Sequence, residues 1–227
     1  MRRLNHESGA RFGYSSRMLS PRNALVALAV VALALAGYWF FADWQKRSQH
    51  REIAEIVADG TAQLKSALTA PPSAQGIAAI ESDIERLQAA RVSRQVAFAG
   101  AADTYLAAAR TIMLRRADAE RIAPRAAASR QALAEHMATP RGRNDDWIRR
   151  AAELKKKMDA DQADLDPVLG TLAELLAAFP ESAKPLAPFV DSSHVLDEPA
   201  RAAALKRAQD DAKRAGDEVA RIGSLQR

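Results

Sequence analysis

The chain has 227 residues and no cysteine, which excludes a disulfide framework, thiol catalysis and thiolate metal sites. Its formal net charge is +5, but five arginines and one glutamate within residues 1–22 contribute +4 of this, so the remainder carries only +1. A nearly neutral remainder argues against nucleic acid as a partner.

An apolar run near the start predicts a membrane anchor. Residues 24–42 read ALVALAVVALALAGYWFFA and carry no charged side chain. At about 1.5 Å per residue, a helix of this length just crosses a hydrocarbon core of about 30 Å. We therefore predict a transmembrane helix over residues 23–43 after a basic tail, 1–22. Four aromatic residues are expected to anchor its far end at the interface: Trp39, Phe40, Phe41 and Trp44.

The charges beside this run predict its orientation. Arginine dominates the N-terminal side, whereas acidic and basic residues nearly cancel in residues 43–52. Because flanks rich in Arg and Lys stay in the cytoplasm, we expect a cytoplasmic N-terminus and a single pass. The Ala- and Arg-rich composition is typical of a GC-rich bacterium. We therefore expect a bacterial inner-membrane protein with a periplasmic C-terminal domain.

A cleaved signal peptide is the alternative interpretation of the same run. Residues 24–36 have the length of a signal peptide's apolar region, and residues 34–36, Ala-Leu-Ala, resemble a cleavage site. The run continues past this site into the aromatic residues, which favours a retained anchor. Both interpretations place the rest of the chain outside the cytoplasm.

Alanine dominates the remaining sequence, and aromatic side chains are few. Alanine is the best helix former but buries little surface. No segment has the pattern of a β-strand. We therefore expect an all-α fold, in which the membrane helix is followed by an extracytoplasmic helical bundle or coiled-coil hairpin with a thin core over residues 44–179.

Prolines and capping residues delimit the first helices after the span. Apolar residues at spacings of three and four predict that a helix extends to about Thr69, where the proline pair at 71–72 ends it. Ser73 is expected to cap a second helix. Its apolar stripe continues through Arg91 and Arg94, so we predict one helix across these arginines.

Three further signals divide the middle of the chain. Pro124 is expected to kink or break the second helix, with a shorter helical piece following to about Met137. Residues 139–143, Thr-Pro-Arg-Gly-Arg, predict a loop. Asn144 or Asp145 should cap the next helix, because acidic side chains favour the positive end of the helix dipole.

The last third begins with another predicted helix start. Asp166 as a cap and Pro167 at the first helical position predict a separate, buried helix. Prolines make residues 180–196 an extended linker. Asp197 is expected to cap an amphipathic C-terminal helix over residues 197–227.

This C-terminal helix carries the most regular apolar seam in the chain. A helix of this length is marginal alone in water, so its seam must pack on something. It could close the bundle of its own chain or pair with another subunit, and we predict an interaction seam formed by Leu205, Ala208, Ala212, Ala215, Val219 and Ile222.

Opposite charges form adjacent blocks. Residues 110–157 carry a net charge of +7, and residues 158–198 carry −8. We favour a hairpin whose arms attract each other. Complementary faces between subunits, or contact of the basic block with anionic lipid, are the alternatives.

Motifs that carry chemistry do not emerge from the sequence. None of the four histidines lies three or four residues from another, and His136 beside Met137 is a weak copper signal. The acidic residues within 159–166 lack the glycine of a calcium loop. No Walker loop or G-x-S-x-G is present. We therefore predict no metal, no cofactor and no catalytic residues.

The resulting hypothesis is a non-enzymatic, membrane-anchored interaction protein, a scaffold or accessory subunit of a cell-envelope complex. Its expected partners are the membrane and either other envelope proteins or further copies of this chain. The alternative is a periplasmic helical module that senses a ligand and signals through a partner protein.

Overall fold

The structure is a computed structural model that describes residues 21–90, 95–140 and 145–224. These residues form helices and no strand, so the all-α prediction is confirmed. Two short 3₁₀ turns, Lys184–Leu186 and Ser192–His194, precede the last helix. The α-helices in chain order are α1 (Pro21–Thr69), α2 (Ala74–Ala90), α3 (Val96–Ala138), α4 (Asp145–Ala183) and α5 (Glu198–Ser224).

The chain falls into two compact units, one up to Gln45 and one from Lys46 onward. The first contains the apolar part of α1, whose large side chains are exposed. Within the described residues, α1 is the one helix long and apolar enough to cross a membrane, with a mean hydropathy of 2.3 in its most apolar stretch. A signal sequence has the same properties, so retention of the anchor stays a prediction. The predicted basic tail lies largely outside the described residues.

Three packed helices, α3, α4 and α5, form the frame of the second unit. The first half of α3 shares a core with the end of α4, while Leu133 of α3 packs with Met158 near the start of α4. Helix α5 begins beside the end of α4, where Arg201 Nη1 donates to the Leu176 carbonyl at 2.9 Å. It ends with Ile222 in the cluster around Met158. Helices α3 and α5 therefore run parallel to each other and antiparallel to α4.

A hairpin of α1 and α2 covers the first half of this frame. Helix α1 ends at Thr69, and the Gly76 N–H donates to Ser73 Oγ at 3.0 Å, so the predicted helix end and cap are confirmed. Gly60 permits a close approach of α1 to α3, because a Cβ there would lie 2.3 Å from Leu106 Cδ2. The largest core joins this hairpin to α3, α4 and α5.

Prolines interrupt the helices less than predicted. Helix α4 passes through both Pro167 and Pro180, so the predicted separate helix start was wrong. Helix α3 passes through Pro124, so of the predicted kink or break the break does not occur, and a kink stays a prediction. A proline removes one helical hydrogen bond, but tertiary packing can hold the helix together on both sides of it. Here Ala119, Ile122 and Ala126 of α3 pack with Leu165 and Leu169 of α4 across both interruptions.

The predicted single helix through Arg91 and Arg94 was also wrong, because Gln95 has a non-helical backbone, with φ −105° and ψ 38°, and precedes the first turn of α3. The two arginines themselves lie outside the described residues. Asn144 and most of the predicted loop at 139–143 do as well. Asp145 and Asp146 occupy the first turn of α4, which confirms their favourable position at the helix dipole.

The segment predicted as an extended linker is packed on the bundle. It contains the last turn of α4 and the two 3₁₀ turns, with Leu186 completely buried. Phe189 stacks on Phe98 of α3 with ring centroids 4.9 Å apart. The Ala200 N–H donates to Asp197 Oδ1 at 2.8 Å, so the predicted cap of α5 is confirmed.

Candidate functional site

A groove between α3, α4 and α5 is the candidate functional site. It has a volume of about 360 Å³ and is open to solvent along one side. Its floor comes from α4, through Leu165, Leu169 and Leu172. Ligand sites typically occupy about 300–1,000 Å³ and have mostly apolar linings, and the groove meets both criteria.

The groove exists because the facing walls carry small side chains. Helix α3 contributes Ala119, Ala123 and Ala127, and α5 contributes Ala208 and Ala215. Both helices pack on α4, but an alanine methyl is too short to fill the space between them. The buried leucines of α4 therefore form the bottom of an open channel.

A backbone acceptor adds polarity to one wall. Proline has no N–H, so Pro124 cannot donate to the carbonyl of Glu120, which lies one helical turn earlier. Both residues line the groove. The Glu120 carbonyl thus lacks its α-helical donor at this wall of the groove.

Charged residues of both signs form the rim. Arg116 Nη2 pairs with Glu120 Oε1 at 2.7 Å on the α3 side. On the α5 side, Arg214 and Asp211 are 4.0 Å apart, and the Arg214 side chain is 72% exposed. The Arg214 pair is therefore the looser of the two, and its guanidinium is the more accessible cation.

A buried polar network closes one end of the groove. Arg130 of α3 is only 8% exposed. Its Nε donates to Glu218 Oε2 of α5 at 2.8 Å, and its Nη1 donates to Gln162 Oε1 of α4 at 2.8 Å. Gln162 Nε2 in turn donates to Asp166 Oδ1 at 2.6 Å. This network connects all three helices that form the groove.

The two charge blocks meet at Arg125. Its Nε lies 2.8 Å from Asp161 Oδ1, and the same guanidinium also pairs with Asp164. The predicted attraction between the arms of a hairpin is confirmed at this point. Other arginines of the basic block pair elsewhere: Arg110 contacts Glu81 of α2 at 2.5 Å.

A second polar cluster fastens the α4–α5 connection to the core. Tyr105 is completely buried and packs on Phe179 with ring centroids 5.1 Å apart. Its hydroxyl accepts from the Leu196 N–H at 2.9 Å and lies 2.9 Å from Thr61 Oγ1. Thr61 Oγ1 is also 2.8 Å from the His194 carbonyl. Burial raises the pKa of the Tyr105 phenol, and these hydrogen bonds offset part of the shift.

The predicted anchor residues all lie on the exposed surface of α1 in the first unit. Their exposed fractions range from 58% to 77%, and the rings of Phe41 and Trp44 have centroids 6.0 Å apart. Exposed aromatic rings are what an interfacial anchor requires, and the anchoring role of the four stays a prediction: Trp39, Phe40, Phe41 and Trp44.

The predicted interaction seam faces the bundle of its own chain. Its first part packs in the core shared with α1, its middle packs with α3 and α4, and its end packs with Leu133 and Met158. One of the two alternatives, closure of its own bundle, thus describes its contacts in this structure. Association through the seam stays a prediction for Leu205, Ala208, Ala212, Ala215, Val219 and Ile222.

His136 is engaged within the protein. Its Nε2 lies 3.0 Å from the Trp147 carbonyl, and its ring stacks on the Trp147 indole with centroids 4.8 Å apart. Across residues 21–90, 95–140 and 145–224, no three His, Asp or Glu side chains are grouped so that they could hold a metal ion.

Sequence reasoning missed the groove. The sequence signal that could have indicated the groove is a repeat of alanine at four-residue intervals, at 119, 123 and 127, next to a proline inside a helical pattern. Alanine occurs on both buried and exposed faces, so this signal has little specificity without the packing partners.

No family model, curated protein or solved structure matches this chain. Over the part of the chain that the structure describes, the protein is all-helical and has one candidate membrane-spanning helix near the N-terminus.

Proposed function

We propose that this chain is a membrane-anchored, extracytoplasmic helical interaction protein, a scaffold or accessory subunit of a cell-envelope complex, and that it is not an enzyme. The observation that supports this function is the groove between α3, α4 and α5. It combines an apolar floor with a rim of both charge signs, which is the usual composition of a surface that recognises another protein.

The proposed location is the inner membrane of a bacterium, with the N-terminus in the cytoplasm. The exposed apolar side chains of α1 up to Phe41 support membrane attachment. The five arginines before the run support the orientation, since positively charged flanks remain in the cytoplasm. The bundle would then stand in the periplasm.

A second candidate function is ligand sensing through a partner protein. The volume of the groove, about 360 Å³, supports it because this volume lies within the range of small-molecule sites. A sensor of this kind would hold a small molecule in the groove and change its contact with a signalling protein.

Purification of the tagged full chain in mild detergent distinguishes the two functions. Mass spectrometry of the purified material should find one envelope protein in a stoichiometric amount. A bound metabolite without a protein partner would support sensing and contradict the interaction function. As a control, tagged cells are mixed with isotope-labelled untagged cells before lysis, so that proteins that bind only after lysis carry both labels.

A further inference from the structure

The groove continues a position that α1 fills in the first half of the bundle. There, α1 contacts α3 through Thr61 Oγ1 and Tyr105 OH at 2.9 Å. It also contacts α5, since Arg207 Nη1 donates to the Leu68 carbonyl at 2.9 Å. Helix α1 thus contacts both α3 and α5, and its buried residues share one core with Leu172, Leu176 and Phe179 of α4, the helix that forms the floor of the groove.

Helix α1 stops where the groove begins. It ends at Thr69, and the turn that follows lies beside Met113, whose Cε would be 3.6 Å from a Cβ at Gly76. The groove starts with Arg116, three residues further along α3, and extends to Arg130. At about 1.5 Å per residue, this part of α3 is about 21 Å long, or about four helical turns.

We propose that this groove is the docking site for one amphipathic helix of a partner protein. This inference rests on the proposed function and names its surface and its partner. Helices α3, α4 and α5 hold three positions of a four-helix arrangement, and α1 holds the fourth over the first half. The partner helix takes the fourth position over the second half, where no described residue of this chain stands in the channel.

The lining specifies the apolar face of the partner. Ala123 and Ala127 of α3 are accessible in this wall, and their small side chains allow a close approach between helix backbones. A helix that fits this channel needs larger apolar side chains at spacings of three and four over about four turns, as in other helix-in-groove complexes.

The rim specifies the charge of the partner. The loosely paired and exposed Arg214 stands at the α5 side of the opening, whereas Arg116 is tightly held by Glu120. A carboxylate on the flank of the partner helix would therefore form its ion pair with Arg214. Charge pairs of this kind set register and partner choice more than affinity.

A second copy of this chain fits the channel poorly. The amphipathic faces that could enter it are already buried in their own bundle, including Ile56 and Leu64 of α1, Leu87 of α2 and Ile222 of α5. Supplying one of these helices to another copy would expose its own core. The occupant is therefore a different protein.

Photo-crosslinking in the native membrane tests the docking site. A benzophenone amino acid replaces Ala123 in the groove, and in a matched control it replaces Ala160, an exposed alanine of α4 outside the groove. The expected adduct at position 123 is a peptide of one partner protein, with apolar residues at spacings of three and four and an acidic neighbour. An adduct with lipid, a small molecule or a second copy overturns the inference, as does equal labelling at position 160 or no adduct at 123.

Variants of the rim and wall sharpen the test with the crosslinker at position 123. Ala127→Trp fills the channel and should lower the adduct yield at least fivefold, whereas Trp at the neighbouring exposed Ala128 should leave it unchanged. Arg214→Glu should lower the yield and Lys213→Glu should not, although both reverse a charge on α5. Circular dichroism shows whether each variant is folded. If Ala127→Trp unfolds, the adduct yield of Arg214→Glu alone tests whether the groove is the docking site. Full yield in Arg214→Glu and in a folded Ala127→Trp overturns the inference.

Failure of this inference differs from failure of the proposed function. If a stoichiometric partner co-purifies equally with the wild type and with Ala127→Trp, the groove is not its docking site but the interaction function stands. If the wild type co-purifies with no protein, the interaction function itself fails.

Discussion

The buried hydroxyl of Tyr105 offers the sharpest test of how the α4–α5 connection is held. In Tyr105→Phe the ring keeps its packing on Phe179, but the Leu196 N–H loses its acceptor. Thr61 Oγ1 also loses one of its partners and keeps the carbonyls of Val57 and His194. The substitution thus removes hydrogen bonds and leaves the apolar packing unchanged.

The expected loss is about 1–2 kcal/mol of unfolding free energy, because a net hydrogen bond contributes about 0.5–1.5 kcal/mol and an unpaired group adds to the loss. For a domain of this size, about 1 kcal/mol corresponds to about 2–4 °C in Tm. The assay is thermal unfolding of the full chain in detergent, followed by circular dichroism. Tyr38→Phe is the matched control, since Tyr38 is 59% exposed and its loss should leave Tm unchanged.

The difference in stability between the wild type and Tyr105→Phe should also depend on pH. Burial raises the pKa of Tyr105 above the ordinary 10.0, so the folded state keeps its proton where the unfolded chain has lost it. Stability from this group is complete below about pH 10 and falls as the pH rises toward the folded pKa. The advantage of the wild type over Tyr105→Phe should therefore shrink as the pH rises above about 10. Equal Tm values at pH 7, or a constant difference across this range, would refute the account.

Further predictions concern the core, a buried carboxyl and the membrane segment. Ile222→Asp should destabilise the fold by about 3 kcal/mol or more in a melt, whereas Asp at the exposed Ala220 should have little effect. Burial raises the pKa of Asp83, and nearby Arg86 offsets only part of this shift, so the charged carboxylate opposes folding above the ordinary pKa of 3.8. Asp83→Asn should therefore raise Tm at about pH 7, and this increase in Tm should disappear near pH 3, where the carboxyl is protonated. A periplasm-active reporter fused after Arg227 should be active, and activity only of a cytoplasmic reporter would reverse the orientation. Sequencing of the mature protein should find the original N-terminus, and a start at Gly37 would show signal-peptide cleavage.

Local signals predicted the ends of elements well where one residue type has one dominant role. Ser73 and Asp197 have short side chains that bond the N–H groups of a first turn, and both cap helices as expected. The helix end at Thr69 follows from the proline pair after it. These features depend on a few neighbouring residues, so the sequence contains the information needed to predict them.

The prediction failed where distant contacts outweigh a local preference. Pro124 and Pro167 each remove one helical hydrogen bond, at a cost of about 3 kcal/mol in an isolated helix. In the bundle, the packing of α3 against α4 runs past both positions and holds each helix together. Sequence reasoning includes the local effect of the proline but cannot include contacts between residues far apart in the chain, such as Arg125 and Asp164, which are 39 positions apart.

The groove was unpredictable for a related reason, since it depends on where α1 ends relative to α3 and α5. Sequence signals placed the end of α1, but they do not determine its alignment with α3 and α5 along the bundle. Only the contact of Leu68 with Arg207, and the place of Met113 beside the α1–α2 turn, show that α1 fills half of the channel.

The floor of the groove also constrains the kind of complex that it can form. Leu165, Leu169 and Leu172 are already buried, with only 2–6% of their surface exposed, so a partner helix would bury little more of them. Its gain must come from alanine methyls and from the aliphatic parts of rim side chains such as Arg214. The partner's own apolar side chains, which leave water when they enter the channel, must therefore supply most of the apolar area buried in the complex. Attachment of both proteins to one membrane would raise their effective concentration and add to the affinity of this contact.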